Sequence, residues 1–108
     1  MNPLLLLRLA ESGLRDVAQI ASANASVRVH AVCDHESGHY LLVAEGWQGY
    51  RRIYRILAHV ALAGDDLWVL EDGTVDGIVG RLHAQGIPKE RITCAWVVPP
   101  LTDGAESR

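Results

Sequence analysis

The spacing of apolar residues changes three times along this chain, and each change marks a different element. Leu4, Leu7, Leu14, Val17 and Ala21 recur at three-, four- or seven-residue intervals, which predicts one face of a helix. Asn2 before Pro3 supplies a cap and a first-turn proline. Glu11 and Arg15 stand one turn apart, where they can pair, and the helix should end near Ala23-Asn24. From Val27 the period becomes two: Val27, Val29, Ala31 and Cys33 alternate with Arg28, His30, Val32 and Asp34. A turn at His35 to Gly38 leads into a strand from Tyr40 to Trp47. Gln48-Gly49 signals a hairpin, and a long strand follows from about Arg51 to Leu62. Gly64-Asp65 returns the chain into a fourth strand near Leu67 to Glu71. The helical period then comes back in Val75, Ile78, Val79 and Leu82. Thr74 is the expected N-cap, Gly86 the terminator and Pro88 the block to continuation. A last strand, Ile92 to Val98 with Trp96 in the core, stops at Pro99-Pro100.

This order predicts an α+β fold: an N-terminal helix, a four-stranded antiparallel meander, a second helix and a C-terminal strand. Two-residue loops at Gln48-Gly49 and Gly64-Asp65 would set Trp47 opposite Tyr50, Glu45 opposite Arg52 and Val60 opposite Val69. One sheet face would then carry Leu41, Val43, Tyr54, Ile56, Val60, Leu62, Leu67 and Val69 and pack under the helices. The other would carry Tyr40, Leu42, Ile53, Leu57, Trp68 and Leu70, mixed with Arg51, Arg55 and His59. An apolar face rimmed by arginine and aromatic residues has the composition of a protein interface. The alternative is a helix on each face of the sheet.

Composition narrows the function classes. The 108 residues are 49% hydrophobic and 21% charged, which suits one folded domain with a modest core and excludes a disordered chain. A single domain over residues 1–101 with a small polar tail at 102–108 is expected. The formal charge of −3 argues against a protein whose main task is to coat nucleic acid. Lys89 is the only lysine beside nine arginines, a bias toward fixed ion pairs and interfaces. Two cysteines, Cys33 and Cys94, make no disulfide framework, so a reduced cytoplasmic protein is the expectation. The leucine run Leu4 to Leu7 is broken by Arg8 and is too short for a membrane span or a signal peptide.

Three segments together resemble a known family. They are Gly46-Trp47-Gln48-Gly49 running on to Arg51-Arg52-Ile53-Tyr54, Trp68 through Asp72-Gly73-Thr74, and Gly86-Ile87-Pro88-Lys89-Glu90-Arg91-Ile92. With His59 between the first two, their order and spacing are similar to the XisI-like fdxN element excision controlling factors of bacteria. The similarity covers about half the chain, from Tyr40 to Ile92. The chain departs from the family after Pro99-Pro100, where Leu101-Thr102-Asp103-Gly104-Ala105 lacks the phenylalanine of the usual ending. The resemblance implies a non-catalytic accessory factor in DNA element excision or a related DNA-processing system. It implies action by protein contact with an XisH-like partner of nuclease fold, and it brings no catalytic residue and no cofactor.

Each other candidate chemistry in the chain has a plainer structural reading beside it. His30, Cys33, His35 and His39 form the one metal-like cluster, but His30 and Cys33 are an odd number apart on a strand and face opposite sides; no metal site is expected. Arg51, Arg55 and His59 on one strand face offer an anion site for nucleic acid or a phosphate-containing ligand. The competing reading is cross-strand pairing, such as Arg52 with Glu45. Asp65-Asp66 and Glu71-Asp72 read as turn and cap residues, no serine sits in a nucleophile elbow, and the glycines from Gly73 to Gly80 lack a phosphate-loop lysine. The expectation is therefore a non-enzyme. Its partner surface is Tyr40, Leu42, Arg51, Ile53, Arg55, Leu57, His59, Trp68 and Leu70, and a homodimer through the same face is a second use of it.

Overall fold

A computed structural model describes residues 1–22 and 26–96. Helix α1 (Pro3–Ser22) is followed by strands β1 (Val27–Asp34), β2 (His39–Gln48), β3 (Arg51–Ala63) and β4 (Asp66–Asp72). Helix α2 (Ile78–Ala84), a single 3-10 turn (Lys89–Arg91) and strand β5 (Ile92–Cys94) complete the order. The strands form one sheet in the order β1-β2-β3-β4-β5. The first four run as an antiparallel meander, and β5 lies parallel to β4. A parallel neighbour needs a crossover, and α2 provides it. Among the described residues no helix is long and apolar enough to cross a membrane.

Both helices contribute to one core. Leu6, Leu14, Ile78 and Leu82 are fully buried in the same cluster as Tyr40, Leu42, Val60, Leu67 and Val69 from the sheet. The arrangement with a helix on each face is therefore not the one adopted. Asn2 caps α1 as expected: its Oδ1 accepts from the Leu4 amide at 2.7 Å and the Leu5 amide at 3.4 Å. The buried stripe of α1 is rotated from the expected one. Leu7 and Leu14 belong to it, but Leu4 and Ala21 are exposed, whereas Leu6, Ala10, Gly13 and Ala18 are buried. Small residues carry that stripe because α2 comes close; a Cβ on Gly13 would stand 3.1 Å from Gln85 Cγ.

The hairpins fix the register. Gly64 opens the β3–β4 loop with a φ of 65°, and Val60 faces Val69 as the sequence predicts. Gly49 likewise opens the β2–β3 loop, with a φ of 67°, so the loop is Gly49-Tyr50 rather than Gln48-Gly49. Gln48 then pairs with Arg51, Trp47 with Arg52 and Glu45 with Tyr54, so each β2 residue meets a partner two positions beyond the expected one.

A β-bulge overturns the predicted faces. Leu42 pairs with Ala58 but Val43 pairs with Ile56, so Leu57 is an extra residue in β3. Alternation reverses across it. Tyr40, Leu42, Arg51, Ile53, Arg55 and Leu57 share the helix side with Val60, Leu62, Leu67 and Val69. Leu41, Val43, Tyr54 and Ile56 share the open side with His59, Ala61 and Trp68. Each expected face was thus half of one real face joined to half of the other.

Three further expectations change. Helix α2 starts at Ile78, not near Val75, and its first-turn amide is capped by Asp72 rather than Thr74: Asp72 Oδ2 accepts from the Ile78 amide at 2.8 Å. Strand β5 ends at Cys94, and Trp96 lies in a turn with 58% of its surface exposed. The remainder of the expected last strand, Val97-Val98, lies outside the described residues, as does the tail from Thr102.

Candidate functional site

The sheet face opposite the helices presents side chains from β1 to β5. Each strand is laid down with one side buried under α1 and α2, so the alternate residues must face away. In β2 the alternation is sharp, with Tyr40, Leu42, Ala44 and Gly46 buried and Leu41, Val43 and Glu45 between them half-buried. The open face therefore carries Val32, Leu41, Val43, Trp47, Ile56 and Trp68, with Tyr54 beside Trp47. Among these Tyr54 is 72% exposed, Trp47 53% and Val32 48%. A sheet face with two tryptophans, a tyrosine and β-branched residues has the make-up of an interface core.

Ion pairs border the patch on the β1 side. Glu45 accepts from His30 Nε2 at 3.2 Å and from Arg52 Nη1 at 3.3 Å, and the Arg52 guanidinium sits 5.7 Å from the centre of the Trp47 ring. The His30 hydrogen bond, with the Arg52 bond and charge behind it, holds the Glu45 carboxyl below its ordinary pKa. This network fixes Trp47 against the strand while leaving half of its surface free. The pairing of Arg52 with Glu45 matches the sequence reading, although it runs diagonally rather than directly across. Toward the other end His39 and His59 meet, and Glu71 pairs with His59 from β4.

The residues expected at a partner surface divide into three groups. His59 and Trp68 lie on the open face, and Leu70, the extra residue of a second bulge between Val69 and Glu71, is 37% exposed. Tyr40 and Leu42 are fully buried and can touch no partner. Tyr40 is instead a structural link: its hydroxyl donates to His35 Nδ1 at 2.7 Å, and His35 Nε2 donates to Glu11 on α1 at 3.1 Å. Burial pushes the Tyr40 phenol up to about 12. Arg51, Ile53, Arg55 and Leu57 sit on the helix side, at the corner of the sheet past the end of α1, where they line a recess with Ala21 and Val29. The anion trio of Arg51, Arg55 and His59 is therefore split between two faces by the Leu57 bulge.

The metal-like cluster also disperses. His30 binds Glu45, His35 binds Glu11 and Tyr40, His39 meets His59, and Cys33 points to the helix side. Among the described residues no three His, Cys, Asp or Glu side chains converge on a common point. Burial raises the pKa of both Cys33 and Cys94, opposite to what a reactive thiolate needs. The carboxylates at strand ends serve structure: Asp66 pairs with Arg91 at 3.5 Å, and Asp72 caps α2. Missing from the sequence reading were Leu41, Val43 and Tyr54 as open-face residues. Their alternation was visible, but the bulge that assigns it to a face was not.

The arrangement has counterparts among known proteins. The family described as XisI protein matches residues 8–104. No curated protein matches the chain. The crystal structure of a XisI-like protein from Anabaena variabilis ATCC 29413 is similar at a TM-score of 0.74 and 27% identity, over 85% of this chain and 84% of that one. The fdxN element excision controlling factor XisI from the same organism is similar in fold at a TM-score of 0.68 and 22% identity, over 91% of this chain and 96% of that one.

Proposed function

This chain belongs to the XisI family, and from that premise we propose that it is a non-catalytic accessory factor in the control of DNA element excision or a related DNA-processing system. It acts by protein contact, and its partner is an XisH-like protein of nuclease fold. The observation that carries this reading is the open sheet face. Two helices pack on one side, and among the described residues the other side leaves Trp47, Tyr54 and Ile56 exposed and Trp68 partly so. Surrounding His30, Glu45 and Arg52 give it a polar rim. The relative named as an fdxN element excision controlling factor is the source of the excision-related role.

The interface on this reading comprises Leu41, Val43, Trp47, Tyr54, Ile56 and Trp68, with His59 and Leu70 retained at its edge. Protein surfaces of this kind concentrate their binding energy in a few aromatic anchors. Co-purification tests it: the tagged chain is recovered from its own cells and the bound proteins are identified by mass spectrometry. Recovery of an XisH-like protein in stoichiometric amount supports the reading. Recovery of the chain alone, as a dimer closed through the same face, replaces the XisH-like partner with a second copy.

A further inference from the structure

On the helix side, the end of α1, the bulge of β3 and the β4–α2 loop border a half-open cavity of about 270 Å³. Arg55 and Arg81 both line it. Among the described residues neither guanidinium forms an ion pair, whereas Arg15, Arg52 and Arg91 each do. Asp76 also lines the cavity, so two arginines and one carboxylate are in its lining. The rest of the wall is largely apolar, with Val17 and Ile20 from α1, Leu57 from β3 and Val75 from the loop.

The wall is held in place by its own hydrogen bonds. Asp72 Oδ1 accepts from the Thr74 amide at 3.0 Å and from the Thr74 hydroxyl, and its Oδ2 accepts from the Ile78 amide. The Gly73 amide donates to the carbonyl of Leu57, the bulge residue, at 2.7 Å. A side chain at Gly73 would begin 3.4 Å from Arg55 Nη1 and 3.3 Å from the Leu57 carbonyl oxygen, so glycine lets the guanidinium lie against the loop. The bulge puts Arg55 and His59 on opposite faces, and Arg55 lines the same cavity as Arg81.

We propose that this cavity binds a small organic anion, a carboxylate or a phosphate monoester with a short apolar body. The anionic group lies between Arg55 and Arg81, where two guanidinium forks meet it with directed, charge-assisted hydrogen bonds. The apolar body rests on Val17, Ile20, Leu57 and Val75. The cavity volume falls just below the range of about 300–1,000 Å³ that holds drug-sized ligands, so the ligand is small. The site is on the side of the sheet away from the open face and does not depend on the partner reading.

Titration of the isotope-labelled protein with phenyl phosphate, phenylacetate and inorganic phosphate, followed by amide NMR shifts, tests the proposal. Saturable shifts at Gly73, Thr74 and Gly77 are expected with an aryl anion. The tighter of the two aryl probes names the anionic group, and inorganic phosphate, lacking the apolar body, should bind about tenfold more weakly. Arg55→Gln and Arg81→Gln should each weaken binding about tenfold or more, and Asp76→Asn should tighten it. The Asp76 variant reports on the site even if an arginine variant unfolds. Shifts that do not saturate, that are equal for inorganic phosphate, or that survive in a folded Arg55→Gln/Arg81→Gln double variant would overturn the proposal.

Discussion

His39 Nδ1 lies 2.9 Å from His59 Nε2 on the open face, with the two ring planes tilted by 48°. One proton between the facing nitrogens makes that bond, and charging both rings would set like charges in contact. Burial first, and the facing His39 second, hold the pKa of His59 below its ordinary 6.5. Asp34 pairs with His39 from β1 and Glu71 pairs with His59 from β4, so carboxylates flank the pair on both sides. Hydrogen bonds from Ser37 and from the Glu36 amide keep the Asp34 carboxyl below the usual range, and it stays charged throughout the histidine titration.

A depressed histidine pKa means that the unfolded chain binds the proton more readily than the folded one. The stability contributed by neutral His59 is then fully present above pH 6.5, and it is lost as pH falls through the lower folded value. Urea denaturation in steps from about pH 7.5 to 5 should show a decline beginning near the ordinary histidine pKa. His59→Asn should flatten that decline. An equally steep loss in the variant would assign the effect to other groups.

Tyr40 should behave as a core residue and not as an interface residue. Its ring is fully buried and its hydroxyl is bonded to His35. Tyr40→Ala is expected to cost about 3–5 kcal/mol in equilibrium unfolding, and Tyr40→Phe about 1 kcal/mol, because only the hydroxyl bond is lost. The folded Tyr40→Phe protein should keep partner affinity unchanged.

Gly46 should tolerate no side chain. Its φ is +154°, and a Cβ there would meet the Ser26 carbonyl oxygen and stand 2.7 Å from Val27 Cα, both of which are backbone. Backbone cannot yield as a flexible side chain can, so Gly46→Ala should destabilise by roughly 2 kcal/mol or more, read as a lower urea midpoint. Gly49→Ala meets nothing within 4 Å and suffers only the strain of its φ of 67°, so it should cost less.

Asp72→Ala removes the acceptor for the Thr74 and Ile78 amides at once. A loss of about 1–2 kcal/mol is expected. Amide exchange should rise first in residues 74–79, since α2 has only seven residues and no other side-chain cap.

The elements of this fold can be read from the sequence where the physics is local. The Asn2 cap, the Gly64-Asp65 loop and the Gly86 stop each depend on residues within a few positions, and each is found where the pattern predicts it. The faces of the sheet could not be read in the same way. Leu57 is an ordinary strand residue, and nothing in the run Arg55-Ile56-Leu57-Ala58 announces that two residues will oppose one on β2. The tie from the Gly73 amide to the Leu57 carbonyl accompanies the bulge, and it spans sixteen positions of sequence. The stripe of α1 was hidden for a different reason: Ala10, Gly13 and Ala18 are buried without being strongly apolar, and at Gly13 the cause is the close approach of Leu82 and Gln85 at the α2 end. The place of Trp68 in the sheet was legible because the register of the β3–β4 hairpin, which follows from Gly64, sets it opposite Ala61.

The proposed partner contact lies on the sheet face opposite the helices. Calorimetric titration of an XisH-like protein from the same source with the wild-type chain, Trp68→Glu and Ile53→Glu distinguishes the two faces. Trp68 lies on the open face and Ile53 on the helix side, and both are partly exposed. Trp68→Glu should lose about 2 kcal/mol or more of binding, with wild-type affinity kept in Ile53→Glu. Unchanged affinity for a folded Trp68→Glu, or a loss confined to Ile53→Glu, would contradict it.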